Sequence, residues 1–383
     1  LWVIPLALYL LTFVIVFARK PWIPHRLVVR MAPGAGLLLM ILPVLPISMG
    51  TMLGHLPAYF ILILLCHGEL VKRRPSHQHL TSFYVWMSVG GIVGGALTAL
   101  AAPYIFDTIL EYPICIAACM LLLPSTAGNR FSDWQKDLVI AVALIGLLLL
   151  LDRGFKGLEL TGVLWLVVQS RMIIAIGLIG LLTYGWRNRP MRFSLMILAC
   201  MSIGVYPQVL DRGRSFFGVY KVEESGDHML FLHGTTLHGL QPLQKKYHLE
   251  PAGYFHPEGP FGDVTSALHK RKANVEAGVI GLGIGAMACH QIAGDRWDFY
   301  EIDPLVVHYA RDSGYFSYWR DCPGERSLLL GDARTTLGAQ TAKNYDFLLV
   351  DAFSSDAIPV HLITLEAISL YLSHLREDGV LVV

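Results

Sequence analysis

The 383-residue chain is 54% hydrophobic and 15% charged, with a mean hydropathy of +0.52, outside the range of an ordinary soluble domain. Its net charge of +1 conceals an asymmetry: residues 1–207 carry 15 basic and 7 acidic side chains, net +8, and residues 208–383 carry 15 and 22, net −7. The split excludes a wholly water-soluble protein, and the acidic half speaks against a nucleic-acid-binding surface.

Apolar stretches fall near 1–18, 33–50, 56–71, 81–103, 113–124, 138–151, 160–186 and 193–207, separated by charged or Pro-containing turns. A spanning helix needs about 20 residues, so seven or eight spans in a lipid bilayer are expected, with 113–124 and 138–151 short and 160–186 long around Arg171. Leu1–Ala18 reads as a span rather than a signal peptide, because no cationic segment precedes it and no small-residue cleavage site follows. The opening LWVIPLALYL and the closing LREDGVLVV are both expected to be cut ends of a longer protein.

Lys and Arg collect at 19–30, 72–74, 130–136 and 187–192. Cationic loops face the cytoplasm; the first three clusters agree with one another, and the fourth agrees only if 160–186 crosses once, which would leave the acidic half outside. Gly90, Gly91, Gly94 and Gly95 lie on adjacent helix turns and predict close helix approach. His67, Glu69 and Glu111 are ionisable groups at segment ends. The six cysteines, Cys66, Cys115, Cys119, Cys200, Cys289 and Cys322, show no metal-ligand spacing; small buried hydrophobes are expected, with no structural disulfide and no metal.

From 208 onward the period changes. SFFGVYKVEES and HMLFLHGTTLHG alternate as antiparallel strands joined at Ser225, Gly226 and Asp227, defining a small β-region over 208–270. A βα series follows over 271–383: strands near 276–281, 297–302, 327–331, 345–351 and 379–383, with helices at 285–293, 305–312, 333–340 and 364–375. The predicted class is thus a multi-span helical membrane domain (1–207) followed by an α/β domain with a Rossmann-like, class I methyltransferase-type doubly wound sheet, whose ligands bind at the strand carboxyl ends.

Candidate chemistry sits at those ends. Gly281, Gly283 and Gly285 in VIGLGIGAM allow the backbone to approach a ligand above a helix N-terminus. Glu301, with Asp303, ends the next strand and is placed to accept ribose hydroxyls, while Gly331-Asp332-Ala333 ends a third and faces an adenine. In LLVDAFSSDAIP, Asp351 ends a fourth strand and Asp356 follows in the loop, near the reactive carbon of a bound nucleoside. Capping of the loop by Ser354, Ser355 and Asp356 is the alternative reading of that run.

These motifs, in this order, resemble the spermidine/spermine synthase family over roughly Phe216 to Val383. GLGIGA corresponds to its GGGDGG loop, Glu301-Ile302-Asp303 to its EID, Gly331-Asp332-Ala333 to its GDA, and Asp351 through Pro359 to its DSSDP-like loop. HGTTLHGLQ and GYFH resemble upstream segments, which implies that Gln241, Tyr254 and His256 line the pocket. The apolar half, with HGELVKRRP and FYVWMSVGGIVGG, is similar to bacterial membrane-fused proteins of this kind. The resemblance implies a bacterial inner-membrane transferase with a cytoplasmic catalytic domain, and it admits a homodimer. Its co-substrate is S-adenosylmethionine or decarboxylated S-adenosylmethionine; the transfer goes to an amine, or within the donor by cyclisation or cleavage, and releases methylthioadenosine. Asp351 then orients or deprotonates the nucleophile, assisted by Tyr254 or His256.

Two departures stand out: Ile284 occupies the place of the aspartate that holds the donor's ammonium, and His233 the place of the aspartate in a DG turn. An apolar side chain cannot pair an ammonium, which opens intact S-adenosylmethionine as the donor. A methyltransferase on the same sheet is a second reading, set back by Val279 where such enzymes carry an acid. A transporter or sensor with a regulatory nucleoside domain is a third.

Overall fold

The computed structural model describes residues 3–45, 48–125, 180, 183–202, 209–353 and 358–383, with positions 135–136, 138–140, 142–143 and 146. It divides into two compact units, Leu1–Ala102 with Ile109–Tyr206, and Pro103–Thr108 with Pro207–Val383.

In the first unit the apolar stretches form helices, among them Val3–Phe17, His25–Ile41, Met49–Lys72, Leu80–Ala96, Glu111–Met120 and Pro190–Ser202. They bury a cluster that includes Ala32, Leu39, Ala58, Leu65, Met120 and Phe193. Gly36 makes room there, since a Cβ in its place would lie 2.9 Å from Met120 Sδ. Met49–Lys72 and His77–Ile105, of 24 and 29 residues, are long and apolar enough to cross a membrane, whereas Val3–Phe17, Glu111–Met120 and Pro190–Ser202 are apolar but shorter.

The expected seven or eight spans are therefore not reached among the described residues, and 138–151 and 160–186 lie largely outside them. The glycine stripe departs from expectation too. Nothing lies within 4 Å of a Cβ at Gly90, Gly91, Gly94 or Gly95, so no close helix contact forms there among the described residues. The ionisable groups at segment ends find local partners: His67 Nδ1 lies 2.8 Å from Thr12 Oγ1, and Glu69 pairs with His25 and Lys72 at 2.8 and 2.7 Å.

The second unit begins with an antiparallel meander, β1 (Val209–Arg214), β2 (Val219–Ser225), β3 (His228–His233) and β4 (Thr236–Pro242), in that spatial order. Alternation puts Tyr220, Val222, Met229 and Phe231 on its buried face. Ser225 pairs with His228, and His233 with Thr236, so the β2–β3 and β3–β4 hairpins each turn on two residues led by a glycine of positive φ, Gly226 at 58° and Gly234 at 62°.

A five-stranded parallel sheet follows: β5 (Glu276–Ile280), β6 (Arg296–Glu301), β7 (Glu325–Leu330), β8 (Tyr345–Val350) and β9 (Leu375–Val382), ordered β7-β6-β5-β8-β9. Every residue of β8 is buried, Asp346 included, and its apolar run Phe347–Val350 is that of an interior parallel strand. The chain departs from β5 to β6 on one side and later to β8 on the other, leaving a crevice at the carboxyl ends where the order reverses.

Two expectations fail in this unit. The helix predicted over 285–293 is a 3-10 turn, Ala286–His290. Gly285 and Gly294, with φ of 81° and 98°, bracket this turn in the left-handed region, and no α-helix N-terminus lies beneath the glycine loop. Cys289 in that turn and Cys322 are joined in a disulfide, with Cα atoms 4.9 Å apart, against the expectation of none. The bond ties the turn to the segment just after the helix Tyr318–Asp321, a pairing that 33 residues of sequence conceal.

Candidate active site

Four strand ends are held level by the backbone. Gly281 N donates to Tyr300 O, Gly331 N to Glu301 O and Asp351 N to Ile280 O, each at 2.8 Å, which extends the sheet's hydrogen bonding into the loops. Gly281 has φ of 102°, and a Cβ there would lie 2.3 Å from Asp351 O; the close passage of these two loops requires glycine.

A cavity of about 380 Å³ opens over these ends, a size suited to a small molecule. Its floor is Gly281, Gly283, Glu301, Asp303, Asp332-Ala333 and Asp351. The meander supplies a facing wall with Tyr220, Phe231, His233 and His238, and the segment after Pro359 contributes His361.

The Glu301 carboxylate is buried and accepts Leu282 N at 3.0 Å and Asp303 N at 2.9 Å. Burial raises its pKa, with those backbone donors opposing. A carboxylate has about four acceptor sites, so Glu301, which lines the cavity, keeps accepting capacity beyond its backbone bonds. Asp303 caps the helix Pro304–Val307 through Leu305 N at 2.8 Å and accepts the Ser215 hydroxyl with its other oxygen.

Asp332 caps the helix Ala333–Gly338, accepting Thr335 N and Oγ1 at 2.9 and 3.0 Å, and its Oδ2 lies 2.9 Å from His361 Nε2. Burial works against the Asp332 carboxylate, but the Thr335 bonds and His361 together hold its pKa below the ordinary value. Asp351 is different. Burial pushes its carboxyl up to about 7, and the Tyr254 hydroxyl, 3.4 Å from Oδ2, pulls only weakly the other way. A carboxylate that exchanges its proton near neutrality is suited to acid–base work.

The structure thus brings Gly281, Gly283, Glu301, Asp303, Asp332, Ala333, Asp351 and Tyr254 to one cavity. Other candidates lie elsewhere. Gly285 stands behind the loop against Trp319. The Gln241 amide donates to His248 O and Ser317 Oγ at 2.6 and 2.7 Å and accepts Ser317 N at 3.0 Å, so it fastens β4 to a neighbouring loop and does not line the cavity. His256 Nε2 is 3.0 Å from Glu250 and lines a separate, more open groove with Asp227 and His228. Asp356 falls outside the described residues. Residues not anticipated as lining are Tyr220, Phe231, His238 and His361; the apolar alternation of the meander is the signal that would have found the first two.

No family model matches the chain. Over 126 residues, 32% of this chain and 22% of the relative, it is 34% identical to the N-terminal histidine N-methyltransferase of Emericella nidulans. Over 110 residues, 27% of this chain and 35% of the relative, it is 34% identical to the polyamine aminopropyltransferase of Vibrio vulnificus. The chain therefore spans about a fifth and about a third of the length of these curated relatives. Among solved structures it is similar to a probable spermidine synthase from Corynebacterium glutamicum, with TM-score 0.37 and 16% identity over 46% of this chain and 63% of that one. It is also similar to spermidine synthase from Thermotoga maritima, with TM-score 0.34 and 18% identity over 45% and 55%.

Proposed function

We propose that the second unit is a polyamine synthase-like transferase that binds S-adenosylmethionine or its decarboxylated form over the strand ends. It passes an alkyl group to an amine, or within the donor, and releases methylthioadenosine. The observation that carries this reading is Asp351, a carboxyl poised near neutrality at the end of β8, within a backbone contact of the glycine loop.

Alkyl transfer from a sulfonium needs alignment and an uncharged nucleophile more than covalent help. The amine nitrogen attacks the carbon beside sulfur, a C–N bond forms, and the C–S bond breaks with its electron pair going to sulfur, leaving a neutral thioether. The proton lost by the amine goes to Asp351. Tyr254 positions that carboxyl, Glu301 takes the ribose diol and Asp332 the amino group of adenine. The apolar helices of the first unit would anchor the enzyme in a bacterial inner membrane, with the catalytic unit on the cytoplasmic side where the donor is made.

Methyl transfer is a second reading, favoured by the 34% identity to an N-terminal histidine N-methyltransferase. It uses the same sulfonium and the same base but leaves S-adenosylhomocysteine. Incubation of the full-length protein with each donor, with and without polyamines, followed by mass analysis of the nucleoside product, separates the two. Methylthioadenosine supports alkyl transfer. S-adenosylhomocysteine would replace it with the second reading.

A further inference from the structure

One end of the first unit gathers its charge. Residues 1–102 hold seven Lys and Arg side chains in three runs, Arg19-Lys20, Arg26 with Arg30, and Lys72-Arg73-Arg74, against a single acid, Glu69. The runs lie just after Val3–Phe17, in the first turns of His25–Ile41 and at the end of Met49–Lys72. Packing brings them together. The rings of Phe13 and His67 lie against each other with centroids 3.8 Å apart, so the later half of Val3–Phe17 runs beside the end of Met49–Lys72. His25 Nε2 is 2.8 Å from Glu69 Oε1, and a Cβ at Gly68 would strike the His25 ring, so His25–Ile41 starts against that same stretch.

All seven of these side chains are exposed. Lys72 pairs with Glu69 at 2.7 Å, and the other six make no hydrogen bond or ion pair with a described residue. Glu69 is already shared between Lys72 and His25, so the patch keeps nearly all of its positive charge. Trp22, 73% exposed, stands between the first two runs. An indole with an apolar body and one N–H donor suits the level of lipid headgroups. Met49–Lys72 has 24 residues and is about 36 Å long at ~1.5 Å per residue, against a hydrocarbon layer of about 30 Å, which brings Lys72-Arg73-Arg74 to that level as well.

We propose that this end of the first unit is a binding surface for anionic phospholipid, held by its headgroup phosphate. The inference rests on the bilayer reading of these helices and is independent of the reaction assigned to the second unit. A single cationic loop would meet the general bias of membrane sequences toward cations on one side. Three runs packed at one helix end do more, because they offer one headgroup several partners at once. Five of the seven side chains are arginines, whose planar guanidinium meets two phosphate oxygens together. A zwitterionic lipid carries its own ammonium beside the phosphate and gains less from the patch. Each Lys or Arg near an anionic surface is worth about fivefold in affinity.

Full-length protein in nanodiscs of equal parts phosphatidylglycerol and phosphatidylcholine tests this, by extraction into neutral detergent and mass analysis of the phospholipid that stays bound. Phosphatidylglycerol is expected to be enriched about fivefold or more. Arg73→Gln with Arg74→Gln, and separately Arg19→Gln with Lys20→Gln, are each expected to lower the enrichment several-fold. Lys245→Gln with Lys246→Gln, an exposed pair in the second unit, is expected to leave it unchanged. Thermal unfolding in phosphatidylcholine alone is expected to be the same for the parent and all three variants, which separates lipid binding from folding. Equal retention of the two lipids, or the same loss of enrichment in every variant, overturns the inference. So does displacement of the lipid by inorganic phosphate at constant ionic strength, which would make the patch a site for free anions. Failure of the protein to enter nanodiscs overturns the bilayer reading and the inference together.

Discussion

The Tyr254 hydroxyl donates to Asp351 Oδ2 across 3.4 Å and is the counterweight to burial at that carboxyl, which stands at about 7. Turnover is expected to rise with pH through about 7, as Asp351 loses its proton and becomes able to accept one. In Tyr254→Phe the counterweight is gone while the ring stays, so the acidic limb of the rate profile moves to higher pH. A limb that stays in place, measured as kcat against pH, would remove Tyr254 from this role.

Asp351 also links activity to stability. Its folded pKa lies above the ordinary 3.8, so the favourable contribution of the protonated carboxyl is full below about pH 4 and is lost as pH rises through about 7. Asp351→Asn should therefore unfold at a higher temperature than the parent at pH 8, by the equivalent of about 1–3 kcal/mol, and at the same temperature at pH 4. Turnover should fall by about 10²- to 10⁴-fold. Thermal unfolding at the two pH values checks the first statement, and a variant no more stable at pH 8 would show that Asp351 is well solvated.

Asp332 Oδ2 is where the amino group of adenine would donate, in competition with His361. Asp332→Asn is expected to cost methylthioadenosine about tenfold in affinity and to cost the 6-oxo analogue much less, because a carboxylate oxygen facing a carbonyl is an unpaired contact that the amide relieves. Titration with the two nucleosides reads the ratio directly. A parallel loss of both ligands would mean that Asp332 acts only by capping the helix Ala333–Gly338.

Gly239 and Ile284 share one volume. Gly239→Ala should destabilise the second unit by about 1–3 kcal/mol through overpacking, and Ile284→Val in the same chain should return part of that loss. A double-mutant cycle by denaturant unfolding measures the coupling; simple additivity would contradict the contact.

Reduction of the Cys289–Cys322 bond removes a cross-link over 33 residues and should lower the stability of the second unit by about 3 kcal/mol. Cys322→Ser should behave as the reduced parent does and be insensitive to added thiol. If thiol shifts the unfolding midpoint of both proteins equally, the bond is not the cause.

Much of the sheet is legible because its interior strands finish in short apolar runs that end on Gly or an acid, as at Ile280-Gly281 and Val350-Asp351. Period marks the buried segments, and side-chain type marks the ends. AMACHQIA has helical composition, yet it forms only the 3-10 turn Ala286–His290, between Gly285 and Gly294 at positive φ. The resemblance of HGTTLHGLQ implies a cavity-lining Gln241, but its partner Ser317 lies 76 residues away and takes up the amide. The same distance problem hid the cysteine pair and the contact of His361 with Asp332, 29 residues apart. Local pattern shows which residues reach a strand end, and tertiary partners decide which of them face the space above it.

The passage of Gly281 beneath the Asp351 carbonyl joins the glycine loop to the strand end that carries Asp351 through main chain alone. In the transferase proposed above, the distance between leaving group and proton acceptor would consequently be a backbone property, indifferent to most side-chain change around it. Tyr220, Phe231 and His233, on β2 and β3 of the meander, line the cavity from its other wall. An enzyme built this way can drift toward new acceptors by substitutions in β2 and β3 while its reaction geometry is inherited intact, whereas any residue larger than glycine at 281 would disturb every substrate alike.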